Sequence, residues 1–210
     1  MLLLGHRGAR SSRHIPENTL ESFELCIQNG CDGFEFDVRR SSDGVAVICH
    51  DPVIAGLEVA RTPSAVLKLP SLDQVLHRFS ARAFVDIELK VEGLEQQLAA
   101  CLRTHPPRKG YVVSSFLTEI LTTIARLDSD IPLGFLYDRA QQMRPPALAL
   151  AYLIPHFTLL TRESVERNHA AGSKVMTWTV NRPEDMRRFA DWGVDAIISD
   201  DTQLLVKTLR

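Results

Sequence analysis

Residues 174–209, KVMTWTVNRPEDMRRFADWGVDAIISDDTQLLVKTL, decide the fold. Lys174 to Val180 predicts a strand, Pro183 to Trp192 a helix, Ala196 to Ser199 a strand and Thr202 to Leu209 a helix. Strands that alternate with helices imply a parallel sheet whose crossovers are the helices. Working back towards the N-terminus, the same alternation recurs. A helix over Glu163 to Ala171 precedes this block, and the short run Tyr152-Leu153-Ile154 follows a weak, proline-interrupted segment from Met143 to Ala151. Strands are expected at Leu2 to Leu4, Phe34 to Val38, Val45 to Cys49, Ala83 to Leu89, Tyr111 to Ser115 and Leu133 to Tyr137. Helices are expected at Asn18 to Asn29, ended by Gly30, and at Leu72 to Phe79, Leu94 to Leu102 and Glu119 to Leu127. About eight strand–helix units fit, which favours a closed (β/α)8 TIM barrel over a doubly wound sheet. No Gly-x-Gly-x-x-Gly follows the first strand, against a dinucleotide-binding fold.

The 210 residues suit one domain spanning 1–210, near the lower size limit for such a barrel. No composition shift or linker divides them, and the longest irregular stretch, Asp51 to Pro70, reads as a functional loop inside the domain. A net charge of −2 and a pI near 6.4 argue against nucleic-acid binding driven by bulk charge. No apolar run approaches the roughly 20 residues that span a bilayer. Met1 to Leu4 is too short for a signal-peptide core. Cys26, Cys31, Cys49 and Cys101 lack Cys-x-x-Cys spacing and read as small, buried, reduced thiols, so a cytoplasmic location is expected.

In Gly33-Phe34-Glu35-Phe36-Asp37-Val38 two acids sit two residues apart. In a strand they share one face, while Phe34, Phe36 and Val38 share the other. Buried charges are paired or bind metals. Glu88, in Val85-Asp86-Ile87-Glu88-Leu89-Lys90, lies on a neighbouring strand and supplies a third oxygen ligand. All-oxygen ligation suits Mg²⁺ or Ca²⁺, with Mn²⁺ also compatible, and disfavours zinc. The alternative is that the acids form structural ion pairs with Arg39, Arg40 or Lys90.

Barrel active sites lie at the C-terminal ends of the strands. The expected rim there carries His6, Arg7, Glu35, Asp37, His50, Asp51, Glu88, Lys90, Trp178, Asn181, Asp200 and Asp201. His6 and His50 are the natural proton-transfer pair, since imidazole titrates near neutrality. His14, His77, His105, His156 and His169 lack that context and read as surface or packing residues. Arg7 and Lys90 offer positive charge to an anion such as phosphate, or else salt bridges to rim carboxylates. Asn18 reads as a helix N-cap, Glu17 as either part of that helix start or a partner for Arg7, and Trp178 as core or as the wall of a substrate pocket.

Taken together, Gly5-His6-Arg7-Gly8, Pro16-Glu17-Asn18-Thr19-Leu20, Glu35-Phe36-Asp37-Val38, Asp43-Gly44, His50-Asp51, Glu88-Leu89-Lys90, Ser115-Phe116, Trp178-Thr179-Val180-Asn181 and Gly193 to Asp200 resemble the glycerophosphodiester phosphodiesterase family. They occur in family order and span almost the whole chain. The resemblance implies a (β/α)8 barrel that cleaves glycerophosphodiesters to glycerol phosphate and an alcohol. It implies that Glu35, Asp37 and Glu88 hold one divalent cation, that His6 and His50 act as general base and acid, and that Arg7 and Lys90 bind phosphate. A cyclic phosphate formed by the neighbouring glycerol hydroxyl is the implied intermediate. One departure stands out. Between His50 and Glu88 the family usually carries a longer insertion, often with Arg-Thr-Thr, whereas this chain has a shortened one reading Arg61-Thr62-Pro63. A shorter cap leaves the head group open and keeps lysophospholipids as an alternative substrate in a lysophospholipase D reaction. A non-catalytic phosphodiester-binding barrel is a further alternative, but such a protein would be expected to have lost a histidine or a metal acid.

Overall fold

The structure, a computed structural model, describes residues 1–139 and 145–210. From the N-terminus the chain runs β1 (Leu2–Gly5), α1 (Leu20–Gln28), β2 (Gly33–Arg40), β3 (Ala46–Ile48), β4 (Val53–Ile54), β5 (Leu57–Glu58), α2 (Ser64–Leu67) and α3 (Leu72–Phe79). It continues with β6 (Phe84–Leu89), α4 (Glu95–Thr104), β7 (Tyr111–Ser115), α5 (Thr118–Leu127), β8 (Leu133–Tyr137) and β9 (Tyr152–Pro155). Then come α6 (Arg162–Ala170), β10 (Lys174–Thr177), α7 (Pro183–Asp191), β11 (Ala196–Ser199) and α8 (Thr202–Leu209).

Strands β1, β2, β6, β7, β8, β9, β10 and β11 pair in parallel in that order, and β11 returns to β1. The sheet therefore closes on itself as a (β/α)8 TIM barrel. β3 is the exception to parallel pairing. It runs antiparallel to the far end of β2, Val38 opposite Ile48, where β1 no longer covers that edge. Among the described residues no helix separates β8 from β9; Met143 and Arg144 of the weak segment expected there lie outside them.

The alternation along the strands sorts side chains into two layers. Outward-facing Phe34 and Phe36 of β2 meet Phe23 of α1 and Phe79 of α3, with Phe23 stacked on Phe34 at 4.2 Å and Phe79 edge-on to Phe34 at 5.2 Å. The barrel interior is filled by Leu4, Phe84, Val112, Leu136, Tyr152, Ile154, Met176, Ala196 and Ile198. Gly33 lets β2 and β6 approach: a Cβ there would lie 1.8 Å from the Phe84 carbonyl oxygen. Along β6 the inward positions read Phe84, Asp86, Glu88, so the interior passes from apolar floor to acidic top within one strand.

Two local expectations need correction. Asn18 is not the cap of α1. Thr19 is, its hydroxyl accepting from the Ser22 N–H while Ser22 reaches back to the Thr19 N–H, and the helix starts at Leu20. Asn18 instead adopts φ +57° and turns inward. The Asp51 to Pro70 stretch is not irregular. It holds the β4–β5 hairpin, a 3₁₀ turn at Val59–Arg61 and α2, pinned by buried Val59 and Leu67 against Val47 and Cys49.

Candidate active site

The site is assembled by strand register. In the parallel β2–β6 pair Glu35 lies beside Asp86 and Asp37 beside Glu88. Four carboxylates thus face the barrel axis in two tiers, and all four are buried. Ligand oxygens of Glu35, Asp37 and Glu88 lie within 4.8 Å of one another. β1 delivers His6 and Arg7 to the same rim, β3 delivers His50, and Lys90 follows β6. These residues, with Glu35, Asp86, Glu88, Phe116, Leu136, Trp178 and Ile198, line a cavity of about 70 Å³.

The Gly5-His6-Arg7-Gly8 turn owes its shape to close quarters. A Cβ at Gly8 (φ +84°) would meet the Ser22 hydroxyl at 2.4 Å, and Arg7 itself sits at φ +54°. That conformation lets the Arg7 N–H donate to Glu35 Oε2 at 2.9 Å and its carbonyl accept from the Asn18 N–H at 3.0 Å. Asn18 in turn donates its side-chain amide to Asp37 Oδ2 at 2.9 Å and accepts from the Asp37 N–H at 3.3 Å. Asparagine tolerates the left-handed backbone better than most side chains. The Arg7 guanidinium pairs with Glu17 at 2.7 Å and places Nε 3.3 Å from Asp37. Lys90 Nζ lies 2.6 Å from Glu88 and 3.2 Å from Asp37. Of the ion pairs weighed for the acids, Lys90 forms its own; Arg39 donates to the His50 carbonyl at 2.6 Å.

Each histidine has a carboxylate on Nδ1. His6 bonds buried-side Asp200 at 2.7 Å, with its Nε2 3.9 Å from Glu35; His50 bonds exposed Asp51 at 2.7 Å. Trp178 is half-buried. Its indole N–H donates to the Ile154 carbonyl at 3.1 Å, and its ring packs edge-on against Phe116. It is a wall of the cavity.

Four carboxylates confront two cations, Arg7 and Lys90, so full ionisation leaves two negative charges uncompensated. Burial, then Asp37, Glu88 and Asp86, push the Glu35 carboxyl well above the carboxylate range. Burial raises Glu88 to about 7, with Lys90 opposing and Asp37 reinforcing. Burial also raises Asp86 to about 7, partly offset by the Ser114 hydroxyl, which donates to it at 2.6 Å. Asp37 alone of the four is held low: burial opposes its charge, but Lys90, Arg7 and the Asn18 amide outweigh burial. Burial lowers His50. Among the described residues three buried side-chain polar atoms lack a hydrogen-bond partner: Arg7 Nε, Glu35 Oε1 and Asp86 Oδ2. All three belong to cavity-lining residues. Buried polar groups are otherwise almost always satisfied, so this clustering marks a place built for ligands. The oxygen-only donor set and the uncompensated charge fit a hard divalent cation.

The profile of the glycerophosphoryl diester phosphodiesterase family matches residues 6–105 and 61–204. The chain belongs to this family. It is an enzyme of that phosphodiesterase class. A glycerophosphodiester phosphodiesterase of Caldanaerobacter subterraneus subsp. tengcongensis is 30% identical over 240 aligned positions, covering all of this chain and 98% of its own. One from Bacillus subtilis is 27% identical over 256 positions, covering 100% of this chain and 87% of its own. Among solved structures, an Oleispira antarctica phosphodiesterase in complex with the product sn-glycerol-3-phosphate superposes with TM-score 0.87 at 28% identity, covering 100% of this chain and 96% of its own. The Thermotoga maritima glycerophosphodiester phosphodiesterase superposes with TM-score 0.82 at 28% identity, covering 100% and 98%.

The eight residues expected from the sequence to transfer protons, hold a metal or meet the substrate, His6, Arg7, Glu35, Asp37, His50, Glu88, Lys90 and Trp178, converge on this one rim. Sequence reasoning passed over one contributor and did not find the roles of two others. Asp86 shares the inward face of β6 with Glu88, and the same two-residue spacing that drew attention to Glu35 and Asp37 would have found it. Asn18 looked like a cap. Asp200 was placed at the rim without a role, since nothing local says that it meets His6, 194 residues away.

Proposed function

We propose that the chain is a divalent-cation-dependent phosphodiesterase hydrolysing glycerophosphodiesters to glycerol phosphate and an alcohol. The observation that carries this reading is that two buried carboxylate oxygens without a hydrogen-bond partner, Glu35 Oε1 and Asp86 Oδ2, belong to residues lining one cavity together with His6 and His50. Glu35, Asp37 and Glu88 would hold the cation, Mg²⁺ or Ca²⁺ by donor chemistry. When bound, such an ion supplies positive charge against the phosphoryl oxygens.

Arg7 and Lys90 orient the phosphate and share its developing charge. Asp200 and Asp51 hold the Nδ1 sides of His6 and His50, leaving each Nε2 to exchange a proton in the cavity. One imidazole takes the proton of the neighbouring glycerol hydroxyl as its oxygen attacks phosphorus. The other gives a proton to the departing alkoxide, and water then opens the cyclic phosphate with the proton roles exchanged. Trp178 and Phe116 form an aromatic wall of the cavity. Product bound to the Oleispira relative supports a small-molecule substrate.

The test is hydrolysis of glycerophosphocholine and glycerophosphoethanolamine with Mg²⁺ or Ca²⁺. EDTA abolishes turnover on this reading, and His6→Ala or His50→Ala lowers kcat by about 10²–10⁴. Metal-independent turnover, or full activity in either variant, overturns it. A second reading, lysophospholipase D activity, is favoured by exposed Val53 and Leu57 on the hairpin after His50 and by exposed Leu117 after Phe116. Lysophosphatidylcholine run beside glycerophosphocholine separates the two. No helix among the described residues is long and apolar enough to cross a membrane.

A further inference from the structure

We propose that Arg10 is a positioning residue for the reaction, bracing with one guanidinium the two carboxylates that hold His6 and Arg7. The inference rests on the roles proposed above for those two residues. The contacts form a continuous chain. His6 Nδ1 meets Asp200 Oδ1 at 2.7 Å, and the same oxygen accepts from Arg10 NH1 at 3.1 Å. Arg10 Nε donates to Glu17 Oε2 at 2.5 Å, and the other Glu17 oxygen accepts from Arg7 NH1 at 2.7 Å. Proton-transfer and phosphate-binding side chains are thereby tied through one residue that itself lines no part of the cavity.

The brace has a physical purpose. Arg7 and Gly8 both sit at positive φ, in a turn whose following residues, Arg10 to Pro16, carry no helix or strand. A left-handed backbone at a non-glycine residue persists only where its surroundings over-determine it. The neighbouring tethers fix main chain: the Ser11 N–H donates to the Asp200 carbonyl at 3.0 Å and the Ala9 N–H to the Ser22 carbonyl at 3.1 Å. Among the described residues only Arg10 joins the two side-chain carboxylates, from opposite ends of the sequence. Its planar fork meets Glu17 through Nε and Asp200 through NH1, two donors held a fixed distance apart, a geometry that the single point charge of a lysine does not reproduce.

Arg10 and Glu17 are each more than a third exposed, so their ion pairs add little to global stability. Catalysis is more sensitive to geometry, since a displacement of about 1 Å can cost 10²-fold. That contrast defines the experiment. Arg10→Ala, Arg10→Lys, Glu17→Gln and Arg10→Ala/Glu17→Gln are compared with wild type for thermal midpoint and for kcat and KM on glycerophosphocholine with the divalent ion. The expected result is a fall in kcat of about tenfold or more in Arg10→Ala, a thermal midpoint within about 2 °C of wild type, and a double variant no worse than the weaker single. Arg10→Lys stays near the alanine variant, and methylguanidinium in the buffer raises the rate of Arg10→Ala. A kcat within twofold of wild type in Arg10→Ala, full recovery by lysine, or additive losses with Glu17→Gln overturns the brace. Should Arg10→Ala not fold, Arg10→Lys decides alone, by the same kcat criterion. His6→Ala and Arg7→Ala are measured alongside. If these keep wild-type turnover, the roles assigned to His6 and Arg7 fail; if they are inactive while Arg10→Ala is wild-type-like, the brace alone fails.

Discussion

Glu88→Gln should make the cation-free protein more stable while removing its response to the cation. Glu88 is buried, and its carboxyl titrates near 7 in the folded chain against 4.5 for an ordinary glutamate. A raised folded value means that the native state holds the proton more tightly than the unfolded state. The associated stability is complete below about pH 4.5 and is lost as pH rises through about 7. At 1.36 kcal/mol per unit, ionising Glu88 costs the cation-free native state about 3 kcal/mol at pH 8. Glutamine keeps the shape and removes that cost. For a chain of this size 1 kcal/mol moves the thermal midpoint by about 2–4 °C, so Glu88→Gln in EDTA at pH 8 should melt about 6–12 °C above wild type. Near pH 5, where the wild-type carboxyl is protonated, the gap should close. Adding Mg²⁺ or Ca²⁺ reverses the advantage. At 100 times its dissociation constant an ion that binds only the folded chain contributes about 2.7 kcal/mol, or about 5–11 °C for wild type, and nothing comparable for the variant. Calorimetric melts across pH with EDTA or ion read all of this. A Glu88→Gln protein less stable than wild type in EDTA, or equal ion-induced shifts in the two proteins, would refute the reasoning.

Asn18→Ala should destabilise by roughly 3 kcal/mol, combining a left-handed backbone that alanine resists with two lost hydrogen bonds to buried Asp37. Asn18→Gly, which accepts that backbone, should recover about 1 kcal/mol of it in urea denaturation and no more. Gly33→Ala should cost about 3 kcal/mol or more by the same measurement, because its new Cβ meets backbone rather than a side chain that can move. The shift it forces between β2 and β6 should also weaken cation binding, read by titration calorimetry; an ion affinity equal to wild type would show that the tier of acids does not depend on this contact.

Between His50 and Glu88 the local fold is only partly legible in the sequence. Sequence placed a loop at Asp51 to Pro70 but not its hairpin, because β4 and β5 are two residues each, too short for a periodic signal. Ala55 (φ +49°) and Gly56 (φ +80°) make the tight turn between them. Asn18 failed as a cap for a different reason. Asparagine suits both an N-cap and a left-handed turn, and the choice was made by Asp37, 19 residues on, whose buried carboxylate needed a donor.

Strand–helix alternation along the chain, about eight units with acids at the inward spacing of β2 and β6, was enough to favour the barrel over a doubly wound sheet. The sequence by itself also determined which residue types would stand at the rim, because strand ends are local features. Tertiary structure decided how those residues act on one another. Register set Glu35 beside Asp86 and Asp37 beside Glu88, turning two acceptable pairs into a four-carboxylate field with too little positive charge. Barrel closure brought Asp200, just after the last strand, to His6 after the first, and set Arg10 between Asp200 and Glu17. Burial then raised Glu35, Asp86 and Glu88, while Lys90, Arg7 and Asn18 held Asp37 low. A side chain's electrostatic environment depends on neighbours within a few ångströms, and those neighbours come from every strand of the closed sheet.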